Sequence, residues 1–361
     1  MNINVTKAYL PPLAEYSAYL QGIWERGWLT NNGPLVQQLE KELSDHLDGS
    51  LVQFTGNGTI ALQVAIKALE LSGEIITTPF SYVATTTAIL WENCTPVFVD
   101  VEDRTFCLDA TKIEAAITPQ TTGILATHVY GYPCDVLAIE DIARRHNLKV
   151  IYDGAHAFGV RVHGKPLLSY GDLSTCSFHA TKLFHTAEGG AIVMNDPALA
   201  KKVWLYKSFG HIGDEYFSLG INGKNSEFHA AMGLCNLPRV PDFIVARQAL
   251  AVLYRQELVG LPLQYPEPTE DSLEYNHAYF PVVFDSEERL HVVKDGLAAQ
   301  MVNTRRYFYP SLNHLPYHKG ASCPVSEDIA KRVLCLPFYQ ELAAEQVRWI
   351  CQLVRKFHGF V

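Results

Sequence analysis

The residues in this chain best placed to do chemistry are grouped around one lysine. In Ser174 to Val193, STCSFHATKLFHTAEGGAIV, a β-prone run from Ser174 to Phe178 leads into Lys182. Glu188-Gly-Gly then turns the chain into a second apolar strand signal ending at Met194. A lysine between two short strands, with hydroxyls at Ser177 and Thr181 and imidazoles at His179 and His185, is predicted to be partly desolvated. Desolvation lowers an ammonium pKa towards the neutral, nucleophilic amine, which is what a Schiff-base lysine needs. A solvated loop lysine is the other reading of the segment, so the choice turns on what else the chain supplies.

Three further stretches supply it. Leu51 to Thr55 reads as a buried strand, and Gly56-Asn-Gly-Thr59 turns it straight into a helix over Ile60 to Leu71. Glycines there let backbone come close to an anion, while free N–H groups and the helix dipole attract it, so Gly58 and Thr59 are candidate phosphate ligands. A strand over Ile75 to Thr78 stops at a proline before a helix from Val83, with Tyr82 at the junction to stack on a planar ring or to fill the core. Leu148 to Asp153 is a strand ending in a carboxylate, with His156 three residues on. Asp153 either pairs with a ring nitrogen or caps a helix start after the strand. A phosphate cradle, a stacking aromatic, a strand-end carboxylate and a lysine are the four contacts that pyridoxal 5'-phosphate requires, and a carboxylate in a low-dielectric site keeps the pyridine nitrogen protonated. The protonated ring is then an electron sink for an adjacent C–H bond.

Those residues need a frame. Strand signals also fall at Pro96 to Asp100, Gly123 to His128 and Ala191 to Met194, and helical ones at Leu35 to Leu47, Asp109 to Ile117, Val136 to His146, Pro197 to Phe209, Ser226 to Leu237 and Phe243 to Leu258. Alternation of this kind predicts an α/β fold with a mostly parallel sheet covered on both faces and the site along the strand ends. Gly210 to Lys224 reads as an extended loop. Composition turns to Pro, Glu, Thr and Asp over 261–275, which places a boundary there: a large domain over 1–260, with an arm over 1–33, and a smaller C-terminal α/β domain over 261–361. Helices over Ser286 to Gln300 and Ala343 to Phe357 are expected in the latter. The Trp28 to Gly33 loop either lines a site or merely connects.

The 361 residues carry a formal net charge of −9 with no run of five like charges, which argues against a nucleic-acid or anionic-membrane surface. No leader-like segment and no long apolar run appears, so a cytoplasmic protein is expected. The eight cysteines lie singly without CxxC pairs, so free thiols are expected and no metal site is indicated.

Taken together, Trp28 to Pro34, Asn57-Gly-Thr59, Thr78-Pro-Phe-Ser-Tyr-Val-Ala-Thr85, Pro96 to Asp100, Asp153 to Gly159, Ser177-Phe-His-Ala-Thr-Lys182, Glu188 to Val193 and Gly220-Ile-Asn222 resemble a known family. It is the fold-type I, pyridoxal-phosphate-dependent sugar aminotransferases of the DegT/DnrJ/EryC1/StrS group, and the likeness spans almost the whole chain. The resemblance implies that Lys182 forms the imine with the cofactor and acts as base and acid, that Asp153 pairs with the pyridine nitrogen and that Tyr82 stacks. It makes Gly58, Thr59 and Ser177 phosphate ligands, with His156 beside the ring. It also implies a homodimer with shared active sites, Asn222 reaching the phosphate from the neighbouring subunit. The implied reaction moves an amino group from L-glutamate to the 4-keto group of a nucleotide-linked, dTDP-type 4-keto-6-deoxyhexose, as in supplying deoxyamino sugars for O-antigen or lipopolysaccharide. A 3-keto sugar is the alternative acceptor; a sugar dehydratase or a non-catalytic pyridoxal-binding regulator would be other outcomes.

Candidate contacts to the sugar nucleotide are Trp28, Thr30, His185, Lys224, Arg305, Arg306 and Tyr309, with a solvated face or core packing as the competing role for the arginines and aromatics. Three departures from the family pattern stand out: His156 in place of Gln, Gly154 in place of Ala, and Gly223-Lys-Asn225 where Xaa-Arg-Met is commoner. Lys224 is the most consequential, since a point charge does not reproduce a guanidinium fork.

Overall fold

The computed structural model describes residues 2–268 and 272–359. Seven strands form the central sheet in the order Leu51–Thr55, Gly190–Met194, Leu173–Ser177, Lys149–Asp153, Thr121–Thr127, Glu74–Thr77, Thr95–Phe98. From Leu173–Ser177 out to Thr95–Phe98 all neighbours run parallel, whereas Gly190–Met194 is antiparallel to both of its neighbours. The two reversals cancel. Leu51–Thr55 therefore points the same way as the parallel strands, and Thr55, Ser177, Asp153, Thr127 and Thr77 all end on one edge, beside Gly190 where its strand begins.

Both faces of the sheet are covered, as strands this apolar require. On one face the helices Gly58–Ala68, Val83–Trp91 and Pro197–Lys207 bury Ala61, Ile89 and Val203 against Ile75, Leu125 and Ile192. Helices Pro34–His46, Val136–His146 and Glu227–Asn236 close the other face through Leu39, Ile139 and Leu234.

A second core packs the helices Glu287–Ala299 and Ala344–His358 onto the two-stranded antiparallel sheet of Pro281–Val283 and Val333–Cys335. It draws in Leu250, Tyr254 and Leu258 from the end of the helix Val240–Glu257, and Ile3 from the far end of the chain. The smaller core is thus assembled from both sides of residue 260, and part of the expected linker, 269–271, lies outside the described residues.

Several local expectations are corrected. Asp109 to Ile117 forms two short 3₁₀ turns, Ala110–Lys112 and Glu114–Ala116, in place of a helix. The extended loop over Gly210 to Lys224 carries a small hairpin, His211–Ile212 with Glu215–Tyr216. The N-terminal arm carries the helix Leu13–Arg26, which buries only Ile23 fully, so its apolar spacing gave little signal. Pro324–Arg332 is a helix that the sequence did not announce; its first amides, Val325 and Ser326, donate to the Asp100 carboxylate at 3.0 and 2.9 Å. Asp100, at the end of the Pro96 to Asp100 motif, is therefore a cap supplied from far along the chain.

Candidate active site

The cradle is built first. Asn57 caps the helix Gly58–Ala68, its side chain accepting the Ile60 N–H at 2.9 Å and its carbonyl the Ala61 N–H at 3.1 Å. Among the described residues, the Gly58 and Thr59 N–H groups have no protein acceptor. They sit at the positive end of the helix dipole on the wall of a cavity of about 390 Å³, with Ser177 opposite. Gly190 permits this closeness: a Cβ there would lie 2.6 Å from the Asn57 carbonyl carbon and 2.8 Å from the Cys176 oxygen. Asn225 ties the turn together by donating to the Thr55 and Glu188 carbonyls, each at 3.1 Å.

Asp153 stands at the middle of the strand edge and is 5 % exposed. Burial pushes its carboxyl pKa up, against hydrogen bonds from the Thr85 hydroxyl (2.7 Å) and the Ala155 N–H (3.1 Å) and the charge of Lys182, which pull it back. Desolvation lowers the Lys182 pKa, opposed by the Tyr307, Asp153, Cys176 and Tyr82 groups around it. Lys182 is half-buried on the cavity wall, and its amine donates to the Tyr279 hydroxyl at 3.4 Å. His156 is buried and held far below the ordinary imidazole range by desolvation and by Lys182. Its Nδ1 accepts the Tyr130 N–H at 3.2 Å, which assigns the proton of the neutral ring to Nε2.

Gly58, Thr59, Tyr82, Asp153, His156, Ser177 and Lys182 all line this one cavity. Asn222 does not; it is bridged to Ser208 at the foot of the hairpin. Of the candidate substrate contacts, Arg305 alone reaches the cavity wall. His185 is buried with both ring nitrogens engaged, Nε2 donating to the Tyr9 carbonyl at 2.8 Å and Nδ1 accepting the Ala187 N–H at 3.2 Å. Arg306 pairs with Glu287 at 2.9 Å, donates to the Lys331 carbonyl at 2.8 Å and lies 3.5 Å from the centre of the Tyr309 ring. These contacts tie His185 to the N-terminal arm and Arg306 to the small domain. Trp28 donates to the Thr30 carbonyl at 2.6 Å within its own loop. That loop is fixed by Glu227, a fully buried carboxylate accepting the Leu35 and Val36 N–H groups at 3.0 and 2.9 Å. Lys224 rests over the Phe209 ring, 4.6 Å from its centre.

Tyr279, Tyr307 and Phe308 also line the cavity, and sequence reasoning passed over them. Tyr279 lies two residues before the strand Pro281–Val283, and nothing local distinguishes it from a core aromatic. It is brought to Lys182 because Asn276 donates to the His156 and Phe158 carbonyls (2.7 and 2.8 Å) and buried Arg247 to that of Ala278 (2.8 Å). A larger groove, about 1140 Å³, runs between the helix Val240–Glu257 and 265–281, but neither Lys182 nor Asp153 reaches it.

The residues fit pyridoxal phosphate on three independent counts. Two unpartnered amides and two hydroxyls suit a phosphate, a buried carboxylate suits a protonated ring nitrogen, and a desolvated amine suits an aldehyde. Comparison with known proteins agrees. The chain is 42% identical over 98% of its length, and 98% of the relative's, to a dTDP-4-amino-4,6-dideoxy-D-glucose transaminase of Shigella dysenteriae. It is 32% identical over 97% to a GDP-perosamine synthase of Escherichia coli O157:H7, of which it covers 98%. The crystal structure of DesI in the presence of its TDP-sugar product matches with a TM-score of 0.94 and 33% identity, over 99% of this chain and 94% of that one. The family model of the DegT/DnrJ/EryC1/StrS aminotransferases matches residues 13–355. With that match and a lysine, a carboxylate and an open phosphate cradle on one sheet edge, this chain belongs to the DegT/DnrJ/EryC1/StrS aminotransferase family.

Proposed function

We propose that this enzyme transfers the amino group of L-glutamate to the 4-keto carbon of a dTDP-linked 4-keto-6-deoxyhexose. The observation that carries the reading is the convergence of Lys182, Asp153 and the free Gly58 and Thr59 amides on one cavity. The 42% identity to a dTDP-sugar transaminase supports the substrate class.

Bound there, pyridoxal phosphate supplies an electron sink for the C–H bond next to the transferred nitrogen. Gly58, Thr59 and Ser177 hold its phosphate, Asp153 its ring nitrogen, and His156 offers an Nε2–H donor. Lys182 Nζ takes the proton from the α-carbon of glutamate in one half-reaction and returns one to the sugar carbon in the other. Desolvation favours the neutral amine that this first step needs.

The active unit in this reading is a homodimer. Phe209, Ile212, Tyr216, Phe217, Leu219 and Ile221 are all exposed around the hairpin, an apolar surface suited to a second copy that would bring Asn222 to the partner's cradle. Light scattering is expected to give twice the mass of one chain, and Leu219→Glu to give inactive monomers.

Glutamate with a panel of dTDP- and GDP-linked 3-keto and 4-keto sugars decides the substrate, the product amine being located by NMR. Amination at C4 of the dTDP sugar, with one 2-oxoglutarate released per amine, is expected. An amine at C3, or turnover only with a GDP sugar, replaces the proposed substrate, and release of no 2-oxoglutarate overturns the reading.

A further inference from the structure

Behind Asp153 lies a chain of hydroxyls that the proton transfers at Lys182 do not use. Thr85 Oγ donates to the carboxylate at 2.7 Å, Ser81 Oγ lies 2.7 Å from Thr85 Oγ, and Thr127 Oγ lies 3.0 Å from Ser81 Oγ. All three side chains are almost fully enclosed: Thr85 is 0 %, Ser81 2 % and Thr127 2 % exposed. Each comes from a different part of the sheet edge. Thr85 is in the first turn of the helix Val83–Trp91, Ser81 in the preceding turn, and Thr127 at the end of its strand.

The direction of the protons is set by which groups can accept. An ionised carboxylate only accepts, so Thr85 uses its single proton on Asp153. Ser81 must then donate to Thr85, and Thr127 to Ser81. Three dipoles are aligned head to tail toward one oxygen of Asp153, while the Ala155 N–H holds the other oxygen. Aligned hydroxyls polarise one another, and inside protein that strengthens the terminal bond to the charge. A protonated Asp153 donating into the chain would have to reverse all three.

We propose that Thr85, Ser81 and Thr127 are positioning residues that keep buried Asp153 as a charged acceptor, the form in which it holds a protonated ring nitrogen. The proposal deepens the pyridoxal reading of the site and rests on it for its role in catalysis. The other ionisable groups facing Asp153 are Lys182 and Cys176, with His156 also on the cavity wall. Burial holds the Cys176 thiol up at about 12, so it is neutral; His156 is neutral as well, and Lys182 is the basic group that acts on the carboxylate, with Arg305 also on the cavity wall.

The test is a graded series, Thr85→Val, Ser81→Ala and Thr127→Val, with Thr85→Ser to restore the hydroxyl. Two readouts are taken: the Asp153 carboxyl titration in the apoprotein by ¹³C NMR, and the Kd for pyridoxal phosphate by its visible absorbance. Loss of a donor favours the protonated acid, so Thr85→Val is expected to raise the proton affinity of Asp153 and the Kd each on the order of tenfold. Ser81→Ala is expected to come next at a few-fold, with Thr127→Val smallest and Thr85→Ser near wild type. Equal effects in all three variants, or an unmoved titration in Thr85→Val, overturns the proposal, because simple packing damage has no reason to decay along the chain. Should the wild-type protein fail to bind pyridoxal phosphate, the functional reading falls, and the apoprotein titration alone decides the hydroxyl chain.

Discussion

Lys182 and Lys207 are both drawn into protein far enough that desolvation lowers the pKa of each amine, yet their surroundings have little in common. Lys207, at the end of the helix Pro197–Lys207, is 1 % exposed; its amine meets Glu40 at 3.0 Å and the Phe54 carbonyl at 3.0 Å. Glu40 in turn accepts the Phe54 N–H at 2.7 Å. This is a closed set of charge-assisted bonds that pins the helix Pro34–His46 to the strand Leu51–Thr55. The amine of Lys182 has a phenol at 3.4 Å, a carboxylate close enough to perturb it, and open space. Desolvation alone therefore does not make a lysine reactive. What separates the two is whether the amine's donors are already engaged and whether a substrate can reach it.

The strongest attempt to break that contrast is to truncate both. Lys182→Ala is expected to reduce turnover by at least about a thousandfold, since it removes nucleophile, acid and base together. Its effect on stability has the opposite sign. A lysine whose folded pKa is lowered binds fewer protons than in the unfolded chain, so at neutral pH it opposes folding, and that cost vanishes only above the unfolded value near 10.5. Thermal melting of Lys182→Ala should thus be no lower than wild type. Full turnover in this variant would remove Lys182 from the mechanism.

Lys207→Met reverses the pattern. It leaves Glu40, with its side chain 18% exposed, without its cation beneath the first strand. Breaking such a pair from one side costs about 3 kcal/mol, which urea unfolding measures directly. Turnover per folded molecule should hardly change. Adding Glu40→Gln should recover part of the loss, because the stranded charge is gone. If Lys207→Met were as stable as wild type, the closed set would be idle.

A chemical probe sharpens the same comparison without mutation. In the apoprotein, acetylation with acetic anhydride, read lysine by lysine by mass spectrometry across pH, should label Lys182 with a midpoint below 10.5. Lys41 and Lys202, whose partners Asp45 and Glu70 raise their pKa, should label with midpoints above it. At pH 8 that ordering leaves a larger fraction of free amine at Lys182 than at Lys41 or Lys202. Lys207 shares the lowered pKa but is enclosed, so it should label only once the protein unfolds. Lys182 titrating together with Lys41 would mean that its site is wet.

What the sequence made legible is local in the chain. Asp153 and Gly58-Thr59 sit at a strand end and a helix start and Lys182 in the turn region between two strands, and strand signals with glycine turns mark such places. The helix Leu13–Arg26 escaped because it hides one side chain completely and leaves Leu13 and Trp24 exposed. The protein partners of the substrate-contact candidates were unreadable for another reason: they come from elsewhere in the sequence. His185 answers to Tyr9, Arg306 to Glu287, and the Trp28 loop to Glu227. The hydroxyls of Ser81, Thr85 and Thr127 become part of the site only through the strand order, and Tyr279 through the Asn276 and Arg247 contacts, none of which a short-range pattern contains.

The smallest effect lies in the floor under the reactive lysine's carboxylate. Gly154 stands where the family pattern has alanine, and the structure accounts for it: a Cβ there would fall 2.2 Å from Leu168 Cδ2 and 3.0 Å from the Thr175 carbonyl oxygen. That oxygen accepts the Gly154 N–H at 2.8 Å, so backbone has little room to yield, whereas a leucine methyl can rotate away. Leu168 thus fills the volume that an alanine would otherwise take. Gly154→Ala is expected to cost about 1–2 kcal/mol by overpacking and, by shifting Asp153 and Ala155 on either side, to slow turnover a few-fold. Leu168→Val removes the offending carbon at about 1 kcal/mol on its own. The pair should be strongly non-additive, with Gly154→Ala costing almost nothing once residue 168 is valine. Additive losses in that cycle would show that the strain arises at the Thr175 carbonyl and not at Leu168. A turnover that stayed constant through the whole cycle would show that the Lys182 side of the comparison depends on the charge of Asp153 and tolerates small displacements of it.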